Sequence, residues 1–172
     1  MLEPYLNDTL CLTSKRQAIE KRLKGLSNLT VGTPAPDFLV SDDKGNPVSF
    51  NNYPTDKRYK LILFWSADCG HCGEMMNELR NWHKQNEEKG ITEIFALNLD
   101  DAGADNHSLQ KITAAYPDWV HIRCDGGINS YEADAWFVLS TPVMFLVEAA
   151  TNKIAAVPGT VQQLLSFINS QE

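Results

Sequence analysis

Residues 61–72 read Leu-Ile-Leu-Phe-Trp-Ser-Ala-Asp-Cys-Gly-His-Cys, and this stretch limits the fold more than any other. Its first half is an apolar run of strand length, rich in Leu, Ile and aromatics. After Cys72 the apolar residues Met75, Met76, Leu79 and Trp82 follow helical spacing along one face. Cys69 and Cys72 therefore fall where a strand hands over to a helix. Free backbone N–H groups and the positive end of the helix dipole favour an anion there. The thiolate is the reactive form of cysteine, and such a position lowers its pKa.

Two cysteines at this spacing can close a small disulfide and cycle between reduced and oxidised states. Cys69, nearer the strand, is the expected attacking thiolate. Cys72, one helical turn on, is the expected resolving thiol. A protonated His71 between them favours the thiolate, whereas Asp68 beside Cys69 disfavours a second negative charge. The competing readings are a structural disulfide and half of a zinc site. Zinc normally takes a second close pair of Cys or His ligands, and Cys11 and Cys124 stand alone in the sequence, so no metal is expected. Cys124 reads as a small buried hydrophobe. A Cys11–Cys124 disulfide is the alternative in an oxidising compartment.

The chain of 172 residues is long enough for one domain with its own core. A net charge of −7 argues against nucleic acid, which needs clustered Lys and Arg. No apolar run approaches the ~20 residues that cross a bilayer. The start, Met1-Leu2-Glu3-Pro4, lacks the basic and apolar regions of a signal peptide.

Residues 1–29 read as a helical extension and residues 30–172 as the main domain. In the extension Ile19, Leu23 and Leu26 share a face, Ser14 is a candidate N-cap, and Gly25 lies near the end. Residues 31–36 form an extended segment fixed by prolines. Short strands over 38–40 and 47–50 are joined by the turn 42–46. A polar loop over 51–58 precedes the central strand, 60–65, and the helix running from Cys69 to Lys89, stopped by Gly90. Lys57, Arg58 and Lys60 read as solvated. A strand over 93–99, a helix capped by Ser108, a strand over 120–124 and a short helix over 131–136 follow. Strands 143–147 and 153–157 form a hairpin, and Thr160 caps a last helix. The order β-α-β-α-β-β-α behind a leading hairpin predicts an α/β fold: a mixed central sheet with helices on both faces.

Phe64-Trp65 followed by Cys69-Gly70-His71-Cys72 resembles the thioredoxin superfamily. The surroundings resemble its bacterial envelope thiol–disulfide oxidoreductases of the TlpA/ResA type. The segment Gly32-Thr33-Pro34-Ala35-Pro36-Asp37-Phe38 resembles the AhpC/TSA-like lead-in that this branch shares with the peroxiredoxins. Thr141-Pro142 resembles the cis-proline loop that faces the dithiol and binds the substrate backbone. The resemblance covers residues 30–170 and implies a thioredoxin-like fold. The chain departs from its relatives at Asp68, where many carry Trp, at Leu63, where thioredoxins bury an acid, and at Met75, where TlpA/ResA-type proteins often carry Glu. Glu74 is a candidate proton relay to Cys72, with a solvated helix-face acid as its other reading. Trp65 and Gly70 complete the expected site.

The resemblance implies a thiol–disulfide oxidoreductase that acts on protein cysteines, needs no cofactor, and depends on an upstream redox partner. A monomer in the periplasm or cell envelope is expected, with this chain a trimmed piece of an exported protein; a cytoplasmic protein is the alternative. The competing functions are a non-catalytic binding module and a peroxiredoxin-like peroxidase. Peroxiredoxins carry a proline where this chain has Ile62 and lack the tight pair of cysteines.

Overall fold

The computed structural model describes residues 13–41, 47–85, 90–100 and 106–171. The turn at 42–46, the helix end at 86–89, the loop at 101–105 and Cys11 lie outside the described residues.

The chain opens with helix α1 (Thr13–Asn28) and the small antiparallel hairpin β1 (Leu39–Ser41) and β2 (Pro47–Ser49). Strand β3 (Tyr59–Trp65) leads into helix α2 (Gly70–Gln85), and β4 (Thr92–Asn98) into α3 (Asn106–Ala114). Next come β5 (Val120–Arg123), the short α4 (Tyr131–Ala135), β6 (Val143–Glu148), β7 (Lys153–Ala156) and α5 (Val161–Asn169). Five strands form one mixed sheet in the order β5-β4-β3-β6-β7. β4 runs parallel to β3, and β5 to β4, whereas β6 is antiparallel to β3 and to β7.

All seven residues of β3 are buried, as a central strand covered on both faces requires. Side-chain alternation divides them. Tyr59, Leu61, Leu63 and Trp65 join Cys72, Met76 and Leu79 of α2 and Val161, Leu164 and Ile168 of α5. Tyr116, just past α3, lies in the same cluster, so α2, α3 and α5 share one face. Two successive parallel crossovers in one direction, both right-handed, put their helices on one side. Ile62 and Phe64 face the opposite layer, where Phe38 stacks on Phe50 at 4.6 Å and Trp136 meets Phe145 at 4.8 Å. Helix α1 docks on that side. Lys21 pairs with Asp134 at 3.2 Å, and a Cβ on Gly25 would stand 2.9 Å from the Cβ of Phe137.

Local chemistry differs from the sequence reading at several points. Ser14 and Ser108 lie inside their helices rather than at N-caps, because the helices begin at Thr13 and Asn106. Thr160 does cap α5, its Oγ1 accepting the Gln163 N–H at 3.2 Å. The segment at 31–36 is extended because it pairs with the edge strand β7: Gly32 and Ala35 donate N–H groups to Ile154 and Asn152.

The larger correction is Lys60. Its place in β3 turns it into the layer beneath the hairpin, where it is 1% exposed rather than solvated. Its Nζ donates to the carbonyls of Phe50 at 2.7 Å and Asn51 at 3.2 Å, and to Asn152 Oδ1 at 3.3 Å. Burial holds its pKa below the usual lysine value, with the charge of Asp37 opposing in part. The unfolded chain therefore binds more protons than the native one just below pH 10.5, and native stability rises with pH across that window. Lys60→Met keeps the apolar stem but leaves the carbonyls unpaired. Urea unfolding is expected to show a loss of about 2 kcal/mol and no such alkaline rise.

Candidate functional site

The site lies at the C-terminal ends of β3 and β4. β3 ends at Trp65, two successive turns follow (Cys69 N–H to Ser66 O, 3.2 Å; Cys72 N–H to Cys69 O, 3.0 Å), and α2 starts at Gly70. Cys69 thus sits at the helix N-terminus and Cys72 in its first turn. A disulfide joins them across a Cα–Cα distance of 5.3 Å. Cys69 is half-buried, whereas Cys72 is 1% exposed and packed with Trp65 and Met76. The first cysteine is thus partly open to solvent and the second is not.

His71 and Asp68 are exposed beside the pair. The His71 Nδ1 stands 3.8 Å from Glu74 Oε2, with both side chains largely in solvent. Glu74 lies two positions beyond Cys72, on the opposite side of the helix from the buried sulfur. This acid meets His71, on the solvent side of the helix. Trp65 is buried, and its indole N–H has no hydrogen-bond partner among the described residues. The Thr141–Pro142 bond is cis, the isomer that the resemblance implies. Val143 pairs with Phe64, so the cis-proline loop lies at the same edge of the sheet as the cysteines.

One acid at this edge was missed by sequence reasoning. Asp100, 8% exposed, accepts the Ala67 N–H with both carboxylate oxygens, at 2.9 and 3.1 Å. The Asn98 side-chain amide donates to the same carboxylate at 2.8 Å. The loop carrying Cys69 is thereby tied to the neighbouring strand. The signal was present: Asn98 and Asp100 are the first polar residues after the apolar run of β4, and parallel strands bring their C-terminal ends together. The acids of the relatives fall instead at positions 63 and 75, on the cysteine strand and helix themselves, where this chain has Leu63 and Met75.

Beside Cys69 an open groove of about 570 Å³ runs between α2 and the end of α3, walled by Trp65, Met76, Ile112 and Tyr116. Cys124 lies apart from the pair, just past β5, and is a buried free thiol among the described residues. Burial pushes its pKa up to about 12, Glu132 and Asp125 push the same way, and the Ser130 hydrogen bond opposes them.

A mixed sheet with a disulfide-forming pair at a strand-to-helix junction and a cis-proline opposite defines the thioredoxin-like class. The sequence model of the AhpC/TSA family matches residues 31–154, and the chain belongs to that family. Solved structures are similar. The thioredoxin domain of a thiol-disulfide oxidoreductase from Bacteroides vulgatus is 23% identical, covers 83% of this chain and 98% of its own, and gives a TM-score of 0.66. A thiol-disulfide oxidoreductase from Bacteroides fragilis is 22% identical over 81% of this chain and 100% of its own, with a TM-score of 0.67. A thioredoxin-like protein from Bacteroides caccae is 15% identical over 99% of this chain and 60% of its own, with a TM-score of 0.72. At these identities the likeness shows the fold. No curated protein matches.

Asp100→Ala removes two charge-assisted hydrogen bonds and leaves the buried Asn98 amide unpaired. Urea unfolding of the oxidised protein is expected to show a loss of about 2 kcal/mol, and Asp100→Asn a smaller one. For Cys124 the folded pKa lies above the unfolded value of 9.0, so its contribution is complete below pH 9.0 and is lost as pH rises towards about 12. In a Cys69→Ser/Cys72→Ser background, where that disulfide cannot exchange, adding Cys124→Ala should make the unfolding free energy less sensitive to pH across that window.

Proposed function

We propose that this protein is a thiol–disulfide oxidoreductase that exchanges disulfides with cysteines of other proteins. The observation that carries the reading is the Cys69–Cys72 disulfide at the head of α2, with one sulfur accessible and the other buried. In the reducing direction the Cys69 thiolate attacks a substrate disulfide, forms a mixed disulfide and expels one substrate thiolate. The Cys72 thiolate then attacks Cys69, restores the intramolecular disulfide and releases the second substrate thiolate. Two electrons pass to the substrate, and its thiolates take up protons from solvent. A dithiol partner must re-reduce the pair for another turnover. The reverse sequence oxidises a substrate dithiol.

Cys69 is the nucleophile in this scheme and Cys72 the resolving thiol. His71, Asp68, Gly70 and Trp65 surround them and set the stability of the Cys69 thiolate. Glu74 acts through His71. Thr141 and Pro142 offer backbone to an extended substrate, in the manner of strand addition. Residues 30–172 make up the catalytic domain and residues 1–29 an extension. The protein works as a monomer in the cell envelope. Among the described residues no helix is long and apolar enough to cross a membrane.

Insulin reduction by dithiothreitol tests the reading. The wild type should accelerate precipitation, and Cys69→Ser should abolish the effect. Cys72→Ser should trap a mixed disulfide that reductant releases. No acceleration by the wild type, with partner affinity retained in Cys69→Ser, would establish a binding module instead. Equilibration with glutathione then gives the direction: a potential near thioredoxin's, about −270 mV, marks a reductase, and one near −180 mV an isomerase or oxidant. A protonated His71 between the cysteines favours the Cys69 thiolate and with it the reduced form, so a value above thioredoxin's is expected.

A further inference from the structure

The geometry points to the groove between α2 and α3 as a specificity subsite: it takes a large apolar side chain that lies close to the reacting cysteine of a polypeptide disulfide. This inference rests on the oxidoreductase reading and names its substrate class.

The reacting atom fixes the occupant. Cys69 lines the groove, so a substrate joined to Cys69 in the mixed disulfide begins at the groove's head, and its neighbouring residues lie along it. The walls select among those residues. Trp65, Met76, Ile112 and Tyr116 are apolar or aromatic. Lys111 is the one charged residue in the lining among the described residues, and it is exposed. A volume of about 570 Å³ suits a Leu, Phe or Trp side chain with adjoining backbone. Tyr116 is held in place by Trp119 stacked on it at 4.5 Å and by the Arg80 guanidinium 5.3 Å from its ring. The wall is thus preformed.

A second, independent feature lies on α2. Gly70 and Gly73 both line the groove, Gly70 at the start of the helix and Gly73 inside it, where glycine is less favourable than alanine. Neither has a positive φ, and a Cβ on either would meet nothing within 4 Å. Neither the backbone nor the internal packing needs glycine here. What their bareness preserves is open space beside Cys69.

Gly73→Leu tests the subsite without endangering the fold, since leucine favours helix and its Cβ meets no neighbour. Three disulfide probes are compared in the presence of dithiothreitol: a symmetrical peptide disulfide with Leu next to Cys, the same peptide with Ser in that place, and oxidised glutathione. The wild type should favour the Leu peptide over the Ser peptide by about tenfold in kcat/KM, as expected for an apolar side chain in an apolar pocket. Gly73→Leu should remove that preference while changing the glutathione rate less than twofold. Ile112→Ser, on the opposite wall, should weaken the preference independently. Equal wild-type rates for both peptides, or equal losses on all three probes in Gly73→Leu, would overturn the subsite and leave the oxidoreductase reading standing. A wild type that reduces none of the probes would remove both.

Discussion

Burial of β3 on both faces is the constraint on which the rest of the structure depends. A strand with no solvent face must be covered twice, and its alternation decides by what. Tyr59, Leu61, Leu63 and Trp65 draw α2 and α5 onto one layer, while Ile62 and Phe64 hold the aromatic layer under the hairpin. The end of this strand is consequently held by packing from both layers. Cys69 and Cys72 follow directly from it, so a rigid scaffold supports the sulfur atoms while the helix terminus leaves one of them accessible.

Polar groups complete what the apolar layers begin. Lys60 enters the core only because two backbone carbonyls and the Asn152 side chain receive its ammonium group. Asp100 enters because its carboxylate receives the Ala67 N–H and the Asn98 amide. Each ties a loop to a strand: Lys60 holds the turn after the hairpin, and Asp100 the loop ahead of Cys69. An unpaired group at either place would cost more than the bond it makes, which is why both are fully engaged. Asp100 also places negative charge beneath a loop whose own Asp68 and His71 face solvent. The loop ahead of the dithiol is thus held by a buried acid, while Asp68 and His71 beside the pair face water, which screens exposed charge.

The groove beside Cys69 follows from topology. β4-α3-β5 repeats the crossover of β3-α2-β4 in the same direction, so α3 is laid next to α2 on one face. Their facing sides converge at the end of the sheet that carries the cysteines. The bare glycines of α2 and Tyr116, just past α3, come together there, although more than forty positions separate them in the chain. The cis-proline loop reaches the same edge by a different route, through the antiparallel pairing of β6 with β3.

Much of this was legible in the sequence because local patterns govern it. The apolar run before Cys69 and the helical spacing after it placed the strand, the helix and the dithiol, and the alternation of elements gave the mixed sheet. Helix ends were less legible: Ser14 and Ser108 have cap chemistry, yet both lie inside helices that are already under way at Thr13 and Asn106. Lys60 was read as solvated because a charged residue at the edge of an apolar run usually is, and its acceptors come from the turn at 50–51 and the distant Asn152. Asp100 escaped because its partner, Ala67, belongs to another strand's loop. The sequence by itself determined the periodicities and the reactive pair, which depend on neighbours along the chain. Tertiary structure decided which buried charges are satisfied, where Glu74 turns, and that α2 and α3 enclose a groove at Cys69, because these depend on groups that only the folded sheet brings within contact distance.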